Sequence, residues 1–130
     1  MRYALIVLAS PQALAVHSAA VAFAHALFAA GHRLPRVFFS DAGTAVALAS
    51  TLPPADEGSP RDGWLALQRE HGVELVACSS SALRHGVLER DEAARANRPA
   101  TLADGFLIGG LGLLVEATRD ADRCLTFGSR

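Results

Sequence analysis

Residues 3–9 read YALIVLA, an apolar run closed by Ser10 and Pro11. A run this short, with no polar alternation, is the pattern of a strand covered on both faces, as in a parallel sheet. Two other readings compete for it, because no charged side chain occurs between Arg2 and Arg33. A secretory leader would rest on a charged region of one Arg and a loose A-x-A site at Ala13-Leu14-Ala15. A membrane span would be interrupted by Pro11, Gln12, His17, Ser18 and His25, and much of its apolar character comes from alanine. A buried strand followed by a mostly buried helix is the better reading, because the pattern recurs downstream.

That helix starts near Ala13 or Leu14 and runs to about Ala30, where Gly31 stops it. Ser18 and His25 lie seven apart and leave only a narrow polar stripe. A helix this apolar is expected to pack on a sheet and on another subunit as well. Residues 33–40 (RLPRVFFS) form the second strand, residues 41–43 turn the chain, and residues 44–50 suit a short helix. Residues 51–60 hold three prolines and a glycine and read as a loop. Ser59, Pro60 and Asp62 open the next helix, Trp64 and Leu67 face the core, and Gly72 ends it.

Residues 73–77 (VELVA) are the third strand, delivering Cys78 and Ser79-Ser80-Ser81. A short helical turn is expected over residues 82–85, and a solvated helix over residues 91–97 with Asp91 and Arg95 four apart. Residues 106–108 suit a short strand. Leu111, Leu114, Val115 and Thr118 mark an amphipathic helix opened by Gly109-Gly110, and residues 123–127 the closing strand. Strands alternate with helices, so the expected class is α/β: a single domain over residues 1–130 with a mainly parallel sheet flanked by helices.

Composition narrows the function. The chain has 130 residues, 51% hydrophobic and 19% charged, so it can bury a core. The net charge of −1 gives no general attraction to nucleic acid or anionic membrane. There is no lysine, which excludes a Walker-type phosphate loop, a Schiff-base amine and a pyridoxal-phosphate anchor. Two cysteines, Cys78 and Cys124, fit a reducing compartment better than a secreted disulfide scaffold.

In open α/β sheets, reactive groups gather beyond the carboxyl ends of the strands. Residues 10–13, 40–43 and 78–81 meet that condition, and only the last offers a strong nucleophile. Backbone amides at a helix start favour the thiolate of Cys78, serine hydroxyls add hydrogen bonds, and Arg84 and His85 add positive field if they point back. On position alone, a reactive thiol and a small buried hydrophobe are equally good readings of Cys78. Cys124 sits among Leu125 and Phe127, where burial is the expected role. A Cys78–Cys124 disulfide is not expected, because the two lie near opposite ends of parallel strands. His17, His25, His32, His71 and His85 form no H-x-x-x-H set and the cysteines no C-x-x-C, so no metal site is expected. There is no G-x-S-x-G elbow, and the glycine run at 109–112 lacks Rossmann spacing and suits close helix packing. The loop after the first strand has no glycine, so a nucleotide there is not expected.

Taken in order, Val37-Phe38-Phe39, Trp64, Cys78 with Ala82-Leu83-Arg84 and Gly86-Val87, Gly110-Leu111-Gly112, Glu116-Ala117, Ala121-Asp122-Arg123 and Phe127-Gly128 resemble the DsrE-like family of small sulfur-relay proteins, nearest its TusD and DsrE subunits. The resemblance spans nearly the whole chain and is strongest around the cysteine. It departs from a common family pattern at His85, where a second Arg often stands, and at Ser40 and Ala42. It implies an active cysteine at Cys78, carrying sulfur as a persulfide without cofactor or metal. It further implies a cytoplasmic hetero-hexamer with TusC-like and TusB-like subunits, a TusA-like donor and a TusE-like acceptor, serving 2-thiolation of a tRNA wobble uridine with no direct nucleic-acid contact. A DsrE-like role in sulfur oxidation, a non-catalytic assembly subunit and a thiol redox sensor are the alternatives.

Overall fold

The computed structural model describes residues 1–128. Five strands, β1 (Tyr3–Val7), β2 (Arg36–Phe39), β3 (Glu74–Cys78), β4 (Phe106–Gly109) and β5 (Arg123–Phe127), form one sheet in the order β4-β3-β2-β1-β5. All four pairings are parallel. Both ends of the described chain share the sheet, since β5 pairs with β1 from Tyr3↔Arg123 to Val7↔Phe127. The first apolar run is therefore a strand flanked on both edges. Among the described residues no helix is long and apolar enough to cross a membrane.

The helices are α1 (Leu14–Ala29), α2 (Pro60–His71), α3 (Ser79–Arg84), α4 (Arg90–Arg95) and α5 (Leu111–Asp120). Their ends follow local chemistry. Ser59 precedes Pro60 in extended conformation, and Gly72 closes α2 in the left-handed region at φ 71°, which a glycine takes without strain. The helix expected over residues 44–50 is a 3-10 helix at Asp41–Ala47. Its start is crowded: a Cβ on Gly43 would lie 2.3 Å from the Val7 carbonyl oxygen. In α4 the ion pair joins Arg95 to Glu92, three apart, instead of the expected Asp91.

Side chains alternate between two unequal layers. Leu5, Val7, Val37, Phe39, Leu75, Ala77 and Phe106 point into the main core, with Ala20, Ala24 and Leu27 of α1 and Trp64 and Leu67 of α2. Phe38, Val76 and Cys78 point to the other face, where Leu113 and Leu114 of α5 cover them. Topology explains the imbalance. The chain steps from β1 to β4 in one direction and then returns across the sheet to β5. Right-handed crossovers therefore put α5 alone on the second face. The amphipathic pattern in α5 predicts a buried stripe, but the helix has no fully buried residue, and Leu111 and Val115 are 63% and 60% exposed. One helix cannot sandwich itself, so its outer apolar residues stay open.

Candidate functional site

Cys78 is the last residue of β3, pairs in register with Gly109 of β4, and α3 begins at the next residue. β3 leads into α3, whose Ala82 joins the main core, whereas β4 leads into α5 on the opposite face. Neighbouring strands that send their chains to opposite faces open a crevice at their carboxyl ends. Cys78 stands at that junction of β3 and β4.

The local geometry favours an ionised sulfur. Cys78 Sγ lies 3.5 Å from Ser80 Oγ. Burial pushes the thiol pKa up, but the Ser80 hydroxyl, the Ser81 amide and hydroxyl and the Ser80 amide together outweigh it, and the net direction is down. The amides face the sulfur without closing a capping hydrogen bond on it. Ser81 is held in turn by the neighbouring loop. The Asp41 amide donates to Ser81 Oγ at 3.0 Å, and Thr44 Oγ1 donates to the Asp41 carbonyl at 2.8 Å. With its oxygen accepting from Asp41, the Ser81 hydroxyl is free to direct its proton at the sulfur. Asp41 takes φ 49° to make this contact. The sequence did not reveal Asp41 and Thr44 as supports, because the link runs between two loops and has no spacing signature.

Access differs from expectation. Cys78 is only 3% exposed, lying beneath Leu113 and Leu114. The reason is register: it ends the strand facing the α5 layer, instead of standing in the loop beyond. Gly109 makes the close cover possible, since a Cβ there would lie 2.4 Å from Leu113 Cδ1 and 2.7 Å from Val76 Cγ1. Within the glycine run the expected close packing holds at Gly109 alone, since a Cβ on Gly110 or Gly112 would meet nothing within 4 Å. Arg36 ties the cover down, donating to the Leu113 carbonyl at 3.1 Å while bonding Glu74 at 2.8 Å.

The other expected residues fall elsewhere. Arg84 ends α3 and His85 caps it, both exposed, and neither bonds Cys78. Cys124 is exposed, contrary to its expected burial, because β5 is an edge strand. Both cysteines are free. His17, an ordinary helix residue in the sequence, is 1% exposed. Its Nδ1 accepts from Trp64 Nε1 at 3.0 Å and its Nε2 donates to the Ala9 carbonyl at 2.9 Å. The spacing also hides a donor cluster of His25, Glu70 and His71. Those residues lie on two helices, so no linear motif records them.

Comparison with known proteins agrees with this arrangement. The DsrE/DsrF-like family profile matches residues 1–127. A protein named sulfurtransferase TusD from Serratia proteamaculans (strain 568) is 46% identical over 111 residues, covering 85% of this chain and 86% of that one. A sulfurtransferase TusD from Salmonella newport (strain SL254) is 41% identical over 128 residues, 98% of this chain and 100% of that one. Among solved structures, the ychN protein from E. coli superposes with a TM-score of 0.70 at 22% identity, covering 98% of this chain and all of that one, which bears on the fold. The full-length likeness to the TusD proteins makes sulfur transfer the activity class and a sulfur-relay complex the setting. With its parallel sheet, its cysteine at the end of β3 and its profile match over nearly the whole chain, the protein belongs to the DsrE/DsrF-like family.

Proposed function

We propose that Cys78 is the sulfur carrier of this TusD-like sulfurtransferase. The observation that carries the reading is the thiol at the β3 carboxyl end, with burial opposed by two serine hydroxyls and two amides so that its pKa falls below the ordinary cysteine value. The Cys78 thiolate attacks the outer sulfur of a donor persulfide. A new S–S bond forms at Cys78, the donor's S–S bond breaks, and the donor leaves as a thiolate. No net oxidation occurs, so no redox cofactor is needed. The same hydroxyls and amides then stabilise the terminal sulfur of the Cys78 persulfide until an acceptor thiolate attacks it.

In this reading the chain works in the cytoplasm with TusC-like and TusB-like subunits in a hetero-hexamer. It takes sulfur from a TusA-like protein and passes it to a TusE-like one, towards 2-thiolation of a tRNA wobble uridine, and it does not itself bind nucleic acid. The support is the identity to TusD proteins over nearly the full length. The test is mass spectrometry after incubation with a persulfide donor protein. The wild type is expected to gain one sulfur mass on the peptide holding Cys78, and Cys78→Ser to gain none while melting at the same temperature. Sulfur loading that survives Cys78→Ser would refute the assignment.

A further inference from the structure

Near the carboxyl ends of α1 and α2, on the far side of the molecule from Cys78, three donor groups converge. His25 Nδ1 lies 4.0 Å from Glu70 Oε2, and His71 Nε2 lies 3.7 Å from Glu70 Oε1. One ligand atom from each of His25, Glu70 and His71 lies within 4.8 Å of the others. Among the described residues this is the group of three that meets such a limit. The carboxylate sits between two imidazoles, so a cation placed among them meets one anionic oxygen and two neutral nitrogens.

We propose that His25, Glu70 and His71 form a binding site for a borderline divalent transition metal, zinc foremost, that bridges α1 and α2. The donor set selects the metal class. Imidazole nitrogens suit zinc, nickel, copper and cobalt, whereas calcium and magnesium require oxygens almost throughout. Two histidines and a carboxylate are also the protein ligands of open zinc sites, which keep a fourth position for water or substrate. A tetrahedral zinc with bonds of 2.0–2.2 Å places its donors roughly 3.3 Å apart. The present spacings reach 4.8 Å, so the site closes on a metal by movement of the Glu70 and His25 side chains while the helices stay packed together.

Two features favour a metal over a loose ion pair. The His71 ring is stacked on Phe28, with centroids 3.9 Å apart and planes within 4°, which fixes its orientation before any ligand arrives. Its side chain is accordingly only 24% exposed, against 61% for Glu70. Part of the entropy of ordering the site is therefore already spent. Glu70 is exposed and the cluster stands at the surface, so the fourth position has access from solvent.

The test is a zinc titration by calorimetry on the full chain carrying Cys78→Ser and Cys124→Ser, because free thiolates bind zinc themselves. One zinc per chain is expected, with cobalt(II) giving a visible tetrahedral spectrum and magnesium giving no heat. His25→Gln and His71→Gln are each expected to weaken zinc binding at least tenfold, and to abolish the rise in melting temperature that zinc gives the parent. His32→Gln is the control, because His32 Nδ1 lies 2.9 Å from the Met1 amino nitrogen and offers a rival pair of donors. Circular dichroism without zinc verifies that each variant is folded, and Glu70→Gln, on a 61% exposed side chain, supplies a further ligand loss that leaves both rings in place. Failure of the parent to bind zinc, retention of its affinity in the folded His25 and His71 variants, or loss of binding with His32→Gln would each overturn the proposal.

Discussion

Cys78 owes its chemistry to residues that follow it immediately. Ser80 is exposed and its hydroxyl bonds the sulfur, whereas the Ser81 hydroxyl also holds the Asp41 amide. Ser80→Ala is therefore the cleaner probe. Losing one hydrogen bond of about 1 kcal/mol to the thiolate lowers its population roughly fivefold at neutral pH. The alkylation rate against pH is expected to move to higher pH by that amount, with the melting temperature unchanged; an unmoved profile would show that the hydroxyl does nothing for the thiolate. Cys124 is the contrast. It has no such partners, and partial burial of its sulfur holds its pKa above the usual value. Cys124→Ser is expected to leave sulfur loading intact.

His17 is expected to contribute a pH dependence to stability. Burial pushes its pKa below 6.5, against weaker upward pulls from the Ala9 and Ser10 carbonyls. The unfolded chain therefore binds the proton first as pH falls, which draws the equilibrium towards unfolding. The stabilisation is complete above the unfolded value of 6.5 and is lost as pH drops through the lower folded value. Denaturant melts between pH 7.5 and 5 are expected to show falling stability. His17→Gln, which keeps a donor and an acceptor but cannot titrate, is expected to flatten that slope at a cost of about 1–3 kcal/mol from imperfect bonds to Trp64 and Ala9. An equally steep slope in the variant would place the acid sensitivity elsewhere.

At the scale of elements, α5 decides whether Cys78 is reached. Among the described residues it is the one helix on its face of the sheet, it has no fully buried residue, and it is held by Leu113, Leu114 and the Arg36 bond to the Leu113 carbonyl. In the proposed carrier role the Cys78 thiolate must meet a donor persulfide in line, so transfer in that role requires this cover to move. Leu113→Ala removes the group lying against Gly109 and is expected to speed alkylation of Cys78 severalfold. The accompanying loss of stability is about 1–2 kcal/mol, below that of a fully buried leucine. Unchanged alkylation would mean that the sulfur is reached by another path. The strands were legible in the sequence because residues 3–9 and 73–77 are continuous apolar runs, and α2 because Ser59, Pro60 and Gly72 mark its ends. The place of Cys78 at a strand exit was legible too. Its cover was not, because which face a strand-end residue takes depends on one residue of register. The same blindness applies to Cys124, whose exposure depends on β5 lying at an edge, and to the His25–Glu70–His71 cluster, whose members meet only when α1 packs on α2.

On the whole molecule, the thinly covered face carries three of the exposed large apolar side chains. Leu107 on β4 is 51% exposed, and Leu111 and Val115, one turn apart on α5, are 63% and 60% exposed. The opposite face buries Trp64, Leu67, Ala20 and Ala24 behind two helices, so the asymmetry is a property of the fold and not of a poor core. A subunit of a relay complex needs such a surface, and here it borders the cover of Cys78, the proposed carrier. Docking on α5 would both bury the apolar residues and bear on Leu113, coupling assembly to access. Leu111→Glu with Val115→Glu is the corresponding change. Both side chains stand in solvent in the isolated chain, so its stability is expected to shift by no more than about 0.5 kcal/mol per site. In the complex each introduced carboxylate would be desolvated without a partner, at a cost of several kcal/mol. Co-expression with the partner subunits, followed by size-exclusion chromatography, is expected to leave the variant as a folded free chain while the wild type elutes in the assembly. A variant that still assembles with the wild-type stoichiometry would mean that the partners dock elsewhere and that α5 moves for reasons of its own.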